Sequence, residues 1–137
     1  MTQENKELLL KDICARLPCG VKVLYEEQIY KISEVSICNE TISIYGERGY
    51  PIEVEIQKVK PYLFPLSSMN EEQKKEYYHI VNYISSDDTE TWMEGEFIYV
   101  NTTQFTRLIH FYHRNHLDYR GLINGELALD ANGLNIY

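Results

Sequence analysis

Three histidines, His110, His113 and His116, recur at every third position, and Asp118 follows two residues after the last of them. A helix advances about 100° per residue, so neighbouring rings stand about 60° apart and the outer two about 120° apart. A neighbouring pair with Asp118 could therefore hold zinc or iron and activate a water for hydrolysis. The spacing lacks the Glu that helical metalloproteases set between two histidines four residues apart. A helix end that partly buries an imidazole, or turns it toward the macrodipole, uses the same residues without chemistry. Clustered titratable groups are often structural, and that reading has the greater weight.

Other chemistries have less support. Cys14, Cys19 and Cys38 are odd in number and lack the short paired loops of structural zinc sites, so they read as reduced, buried or idle thiols. No Gly-x-Ser-x-Gly elbow, cysteine-protease setting or phosphate-cradling glycine loop occurs. Nucleotide hydrolysis and covalent catalysis recede, no catalytic residue stands out, and no cofactor is implied. The run Asp87, Asp88, Glu90, Glu94, Glu96 contains no base, yet it lacks the order of a calcium loop, with oxygen ligands alternating around a turn glycine and a late bidentate Glu. It reads as a solvated loop.

A formal charge of −8 repels the phosphate backbone of nucleic acids, so that class of partner would need Lys and Arg gathered on one face. Twelve tyrosines stand against four phenylalanines and one tryptophan, and tyrosine combines contact area with a polar tip. Tyr25, Tyr30 and Tyr45 are accounted for by packing on a pleated sheet. Tyr78 and Tyr83 point off the core side of their helix and are candidates for contact with a protein partner. Tyr119 and Arg120 join them, because both residue types are enriched at binding hot spots.

These residues need elements to position them. Leu9, Ile13 and Leu17, with Leu10 and Cys14 beside them, predict a helix over Glu4 to Leu17 that Pro18 terminates. Val21, Val23 and Tyr25 alternate as a strand, and Gln28 to Ile37 reads as a second, with a phase slip near Ser33 and Glu34 that implies a bulge or turn. Thr41 to Tyr45 and Ile52 to Ile56 flank GERGYP as a hairpin with one apolar face, which helices must cover. KPYLFPLSSM reads as an extended crossover into a helix capped at Ser68, with Tyr77, Ile80, Val81 and Ile84 inward and lying on the sheet. Phe97 to Val100 reads as a fifth strand. Thr102 or Thr103 then caps a third helix that buries Phe105, Leu108, Ile109 and Tyr112. The order α-β-β-β-β-α-β-α predicts one α+β domain over 1–137, a mainly antiparallel sheet of about five strands under about three helices. No apolar stretch reaches the roughly 20 residues of a membrane span and the start carries no secretory pattern, so the cytoplasm is the expected compartment.

The segment HLDYRGLINGELALDA, with KELLLKDICARLPCGVKV and VKPYLFPLSSMNEEQ, resembles a group of small uncharacterised proteins of gut-dwelling anaerobic bacteria, often found among prophage or mobile-element genes. The resemblance spans most of the chain and carries no activity with it. Relatives tend to place Gly directly before Leu-Ala, whereas here Glu126 separates Gly125 from Leu127. Read from its residues, DYRGLI is a helix exit in which Asp118 and Arg120 tie a turn that Gly121 permits, and Leu122 and Ile123 dock on the core. The expectation is a non-enzymatic phage or mobile-element accessory protein acting through protein-protein contact. The alternative is a small metal-assisted hydrolase built on His110, His113, His116 and Asp118.

Overall fold

Thr2 opens the first helix by accepting the Asn5 amide N–H on its side chain at 3.2 Å. The computed structural model describes residues 1–46, 49–82 and 100–137. Helix α1 (Gln3–Arg16) gives way to a single 3-10 turn at Leu17, Pro18 and Cys19, where proline ends the α-helical ladder as its missing N–H requires. Leu9, Leu10 and Ile13 are buried as the spacing predicted, and Asp12 and Arg16 are buried beside them.

Four antiparallel strands follow: β1 (Lys22–Tyr25), β2 (Gln28–Ser36), β3 (Thr41–Tyr45) and β4 (Pro51–Glu55). The β1–β2 turn is closed by Glu26 and Glu27, both at positive φ, the backbone that a two-residue hairpin of this twist demands. The expected phase slip is a register shift between Ile32 and Glu34, where the Ser33 hydroxyl donates to the Ser43 carbonyl. Ile42, Ile44, Val54 and Ile56 form one core with Leu9, Leu10 and Ile13, so α1 covers the apolar face of the hairpin. Each such side chain contributes about 1.5–3 kcal/mol by leaving water.

The segment expected as a crossover is instead a strand, β5 (Lys60–Pro65), which pairs antiparallel with β1 through Pro61 and Lys60. Its other partners are β6 (Leu117–Asp118) and β7 (Leu129–Asp130), both parallel to it. The described residues thus form a seven-stranded, mostly antiparallel sheet, with β4-β3-β2-β1-β5-β6 in order and β7 also on β5. The class is α+β.

Helix α2 (Glu71–Asn82) is capped one turn element later than expected. Asn70 and Gln73 exchange side-chain to backbone hydrogen bonds, whereas the Ser68 hydroxyl donates to the Pro65 carbonyl. Helix α3 (Thr102–Arg114) opens with the same device, Asn101 with Gln104, in place of a Thr102 or Thr103 cap. Its buried stripe is rotated from the expected one: Gln104, Leu108, Phe111 and Tyr112 are inward, and Phe105 is 54 % exposed. Tyr77, Ile80 and Val81 of α2 are buried as predicted, but against Leu108, Phe111 and Tyr112 of α3 rather than on the β1–β4 face. Tyr83 and Ile84 of the expected second helix, the acidic loop at 87–96 and all of the expected fifth strand except Val100 lie outside the described residues.

Candidate functional site

The last turn of α1 carries Asp12 and Arg16 four residues apart on the face that Leu9 and Ile13 bury. That spacing lets Arg16 Nε donate to Asp12 Oδ2 at 2.8 Å, with both side chains fully buried. Arg16 Nη2 donates to the Leu117 carbonyl at 2.7 Å, which ties α1 to β6. The second carboxylate oxygen of Asp12 lies 3.1 Å from Arg120 Nε, as an ion pair whose N–H is not in line for a hydrogen bond. Arg16 Nη1 is buried with no hydrogen-bond partner among the described residues. One carboxylate between two guanidinium groups leaves a net positive centre in the interior. Such a centre contributes little to stability over an apolar core, yet it is costly to break by removing one partner.

Tyr119 joins this centre to α3. Its ring stacks on Tyr112 at 4.9 Å, and the guanidinium carbons of Arg16 and Arg120 lie 5.3 and 5.0 Å from its centroid. Its hydroxyl shares a 2.8 Å hydrogen bond with His113 Nε2. Burial, and then the Arg16 charge, push His113 below the ordinary histidine range. Burial raises the Tyr112 hydroxyl to about 12.

Asp118 is buried in β6, and its two oxygens accept the amide N–H groups of Leu122 and Ile123 at 2.9 Å each. This is the turn-tying role read from DYRGLI, with Gly121 at φ 73°. Arg120 ties inward to Asp12 rather than to Asp118. His116 has left α3: it follows the helix end at φ 55° and stacks on Tyr137 at 3.6 Å and 10° from parallel. Tyr137 in turn donates to the Tyr62 carbonyl and accepts the Lys22 amide N–H. Burial, assisted by the charges of Arg16 and Lys22, holds His116 down to about 4.

The three histidines therefore have three environments. His110 is exposed on α3, His113 is committed to Tyr119, and His116 is committed to Tyr137. Among the described residues no group of three or more His, Cys, Asp and Glu is placed to hold a metal. His110 and His113 do share a cleft of about 400 Å³ with Arg114 and Cys19, between the end of α1 and α3. Of the candidate contact residues, Tyr119 and Arg120 face the buried centre, and Tyr78 is 38 % exposed with its ring edge against Tyr77. Tyr83 lies outside the described residues.

Sequence reasoning missed Asp12, Arg16 and Tyr137. For the first two a signal existed, since they fall three and seven residues after Leu9, on its own helical face. No helix of the described residues is long and apolar enough to cross a membrane. No protein-family model, curated protein or solved structure matches the chain.

Proposed function

We propose that this domain works by binding another protein and not by catalysis. The observation that carries the reading is the exposure of large apolar side chains at the β3–β4 end of the sheet: Tyr45, opposite Pro51 on the wet face, Ile52, opposite Ile44 on the apolar face, and Tyr50 just before β4 are 53, 43 and 73 % exposed. Large apolar side chains left exposed on both faces of one hairpin end are available to a partner that grips that end, and tyrosine is enriched at such interfaces. The inward contacts of Asp118, His113, Arg120 and Arg16 support the same reading, because each is made to another part of the chain, with Arg16 Nη1 and Arg120 Nε left without a hydrogen bond among the described residues. An accessory role in a phage or mobile element fits such a binder and rests on the sequence resemblance alone.

The test is retention of partners from the native host by the wild type and by a Tyr45→Ser/Tyr50→Ser variant of unchanged thermal midpoint. A protein held by the wild type and lost from the variant is the expected result. Equal retention by both, or by neither, removes the reading.

A further inference from the structure

β4 is the last strand in the sheet order, and among the described residues its edge away from β3 is unpaired. The register identifies the backbone groups that this edge presents. The Gly46 N–H donates to the Tyr50 carbonyl at 3.1 Å, and the Ile56 N–H donates to the Glu40 carbonyl at 3.0 Å. Hydrogen-bonded pairs alternate along an antiparallel ladder. Stepping inward from both ends, Ile42 with Val54 and Ile44 with Ile52 are therefore the bonded pairs. Glu53 and Glu55 consequently turn their N–H and C=O outward, joined by the carbonyl of Pro51, which has no N–H to offer.

Side chains follow the pleat. Glu53 and Glu55 are exposed on the wet face, while Val54 is buried on the apolar face and Ile52 is left 43 % exposed at its margin. The present contacts of the two carboxylates are surface ones. The Thr41 hydroxyl donates to Glu53, the Gln57 amide donates to Glu55, and Lys58 lies 3.6 Å from Glu55 with both side chains more than half exposed. Exposed contacts of this kind are weakly held and exchange readily.

We propose that the β4 edge receives an extended basic segment of a partner protein by strand addition. Lys or Arg at two alternate positions would sit opposite Glu53 and Glu55, with apolar residues over Val54 and Ile52. Main-chain bonds to the outward groups of Glu53 and Glu55 supply affinity, and the alternation supplies specificity. Directly opposed residues share a face, so the charges meet on the wet side and the apolar residues cover the exposed Ile52. A second copy of this chain is a poor occupant, because two such edges would set glutamate against glutamate between molecules of charge −8 each. Charge and proline are also devices that blunt sheet edges. A pair of carboxylates blunts this one toward acidic and identical strands while leaving it open to basic ones.

The proposal rests on the reading of the domain as a protein binder, and its test is separable. An eight-residue peptide alternating Lys and Val is titrated into the isotope-labelled full chain, with a Glu and Val peptide as control. The amides of Glu53 and Glu55 are expected to shift and to exchange at least about tenfold more slowly, while those of Ile52 and Val54, already bonded to β3, change little. Glu53→Pro removes one outward N–H and leaves the bonds to β3 in place, so it should abolish binding with the fold retained. Glu53→Lys/Glu55→Lys should switch preference to the Glu and Val peptide.

Unchanged affinity in Glu53→Pro, shifts confined to other residues, or concentration-dependent protection of the same amides without peptide would each overturn the inference. The last outcome would name a second copy as the occupant. A native partner lost from Tyr45→Ser/Tyr50→Ser but held by Glu53→Pro leaves the binding function standing and removes the edge from it.

Discussion

The ring of His116 lies on the ring of Tyr137, 3.6 Å between centroids, and so fastens the residue just past α3 to the far end of the chain. Tyr137 is fixed beneath it by hydrogen bonds to β1 and β5, at Lys22 and Tyr62. The stack therefore depends on a neutral imidazole whose proton affinity burial has reduced.

This makes stability depend on pH below neutrality. Folded His116 titrates at about 4 and the unfolded residue near 6.5, so between these values the unfolded chain binds the extra proton. The contribution is complete above pH 6.5 and is lost as pH falls toward 4. With allowance for solvent at the partly exposed ring, the loss is about 1–2 kcal/mol. Urea midpoints at pH 7 and 4.5 should lie closer together in His116→Phe than in the wild type. The strain of phenylalanine at positive φ is constant with pH and cancels from that difference. Equal separations would clear His116 of the effect.

Asp118 is expected to behave as a latch. Asp118→Ala strips the acceptor from two backbone N–H groups and should cost about 2–4 kcal/mol, whereas Asp118→Asn keeps one acceptor and should cost about half as much. Denaturant titration separates the two. A loss below about 0.5 kcal/mol for the alanine variant would show that the turn holds without its carboxylate.

The buried charges of α1 should be strongly non-additive. Asp12→Leu leaves two guanidinium groups facing each other without their carboxylate and should cost about 3–5 kcal/mol. Asp12→Leu/Arg16→Met replaces the pair with apolar volume and should recover a substantial part of that loss. Additive single and double losses in a double-mutant cycle would contradict the coupling inferred from the 2.8 Å contact.

The local parts of this fold were legible because their signals lie within a few residues. Leu9 and Ile13 marked α1, Pro18 marked its end, and the slipped phase after Ile32 marked the bulge in β2. Errors arose where distant residues decide. Pro61 and Pro65 mark extended backbone, which fits a crossover as well as a strand, and the pairing that makes this segment β5 comes from β1, β6 and β7, all far from it in sequence. Strands as short as β6 and β7 have no period to detect. In α3 the spacing predicts Phe105 in the core and assigns no role to Gln104. The glutamine is buried because its side chain closes the cap and donates to the Ile80 carbonyl of α2, a partner that local pattern cannot see.

The candidate site was legible in outline only. Asp118 tying the turn after α3 followed from DYRGLI, since a carboxylate four and five residues before two amides can hold them locally. The tie of Arg120 to Asp12 crosses most of the sequence, as does that of Arg16 to Leu117. His116 was assigned to the helix because spacing by three fits one, whereas the helix ends at Arg114 and its stacking partner is the last residue.

The place of β5 also orders assembly in time. Strands β1 to β4 are joined by hairpins and close through neighbours, while β5 bonds to a strand from the first part of the chain on one side and to two from the last part on the other. Loop-closure entropy makes such long-range parallel pairings late events. On that ground the meander and α1 are expected to form before the C-terminal strands, which join β5 and the buried arginine that grips β6 last.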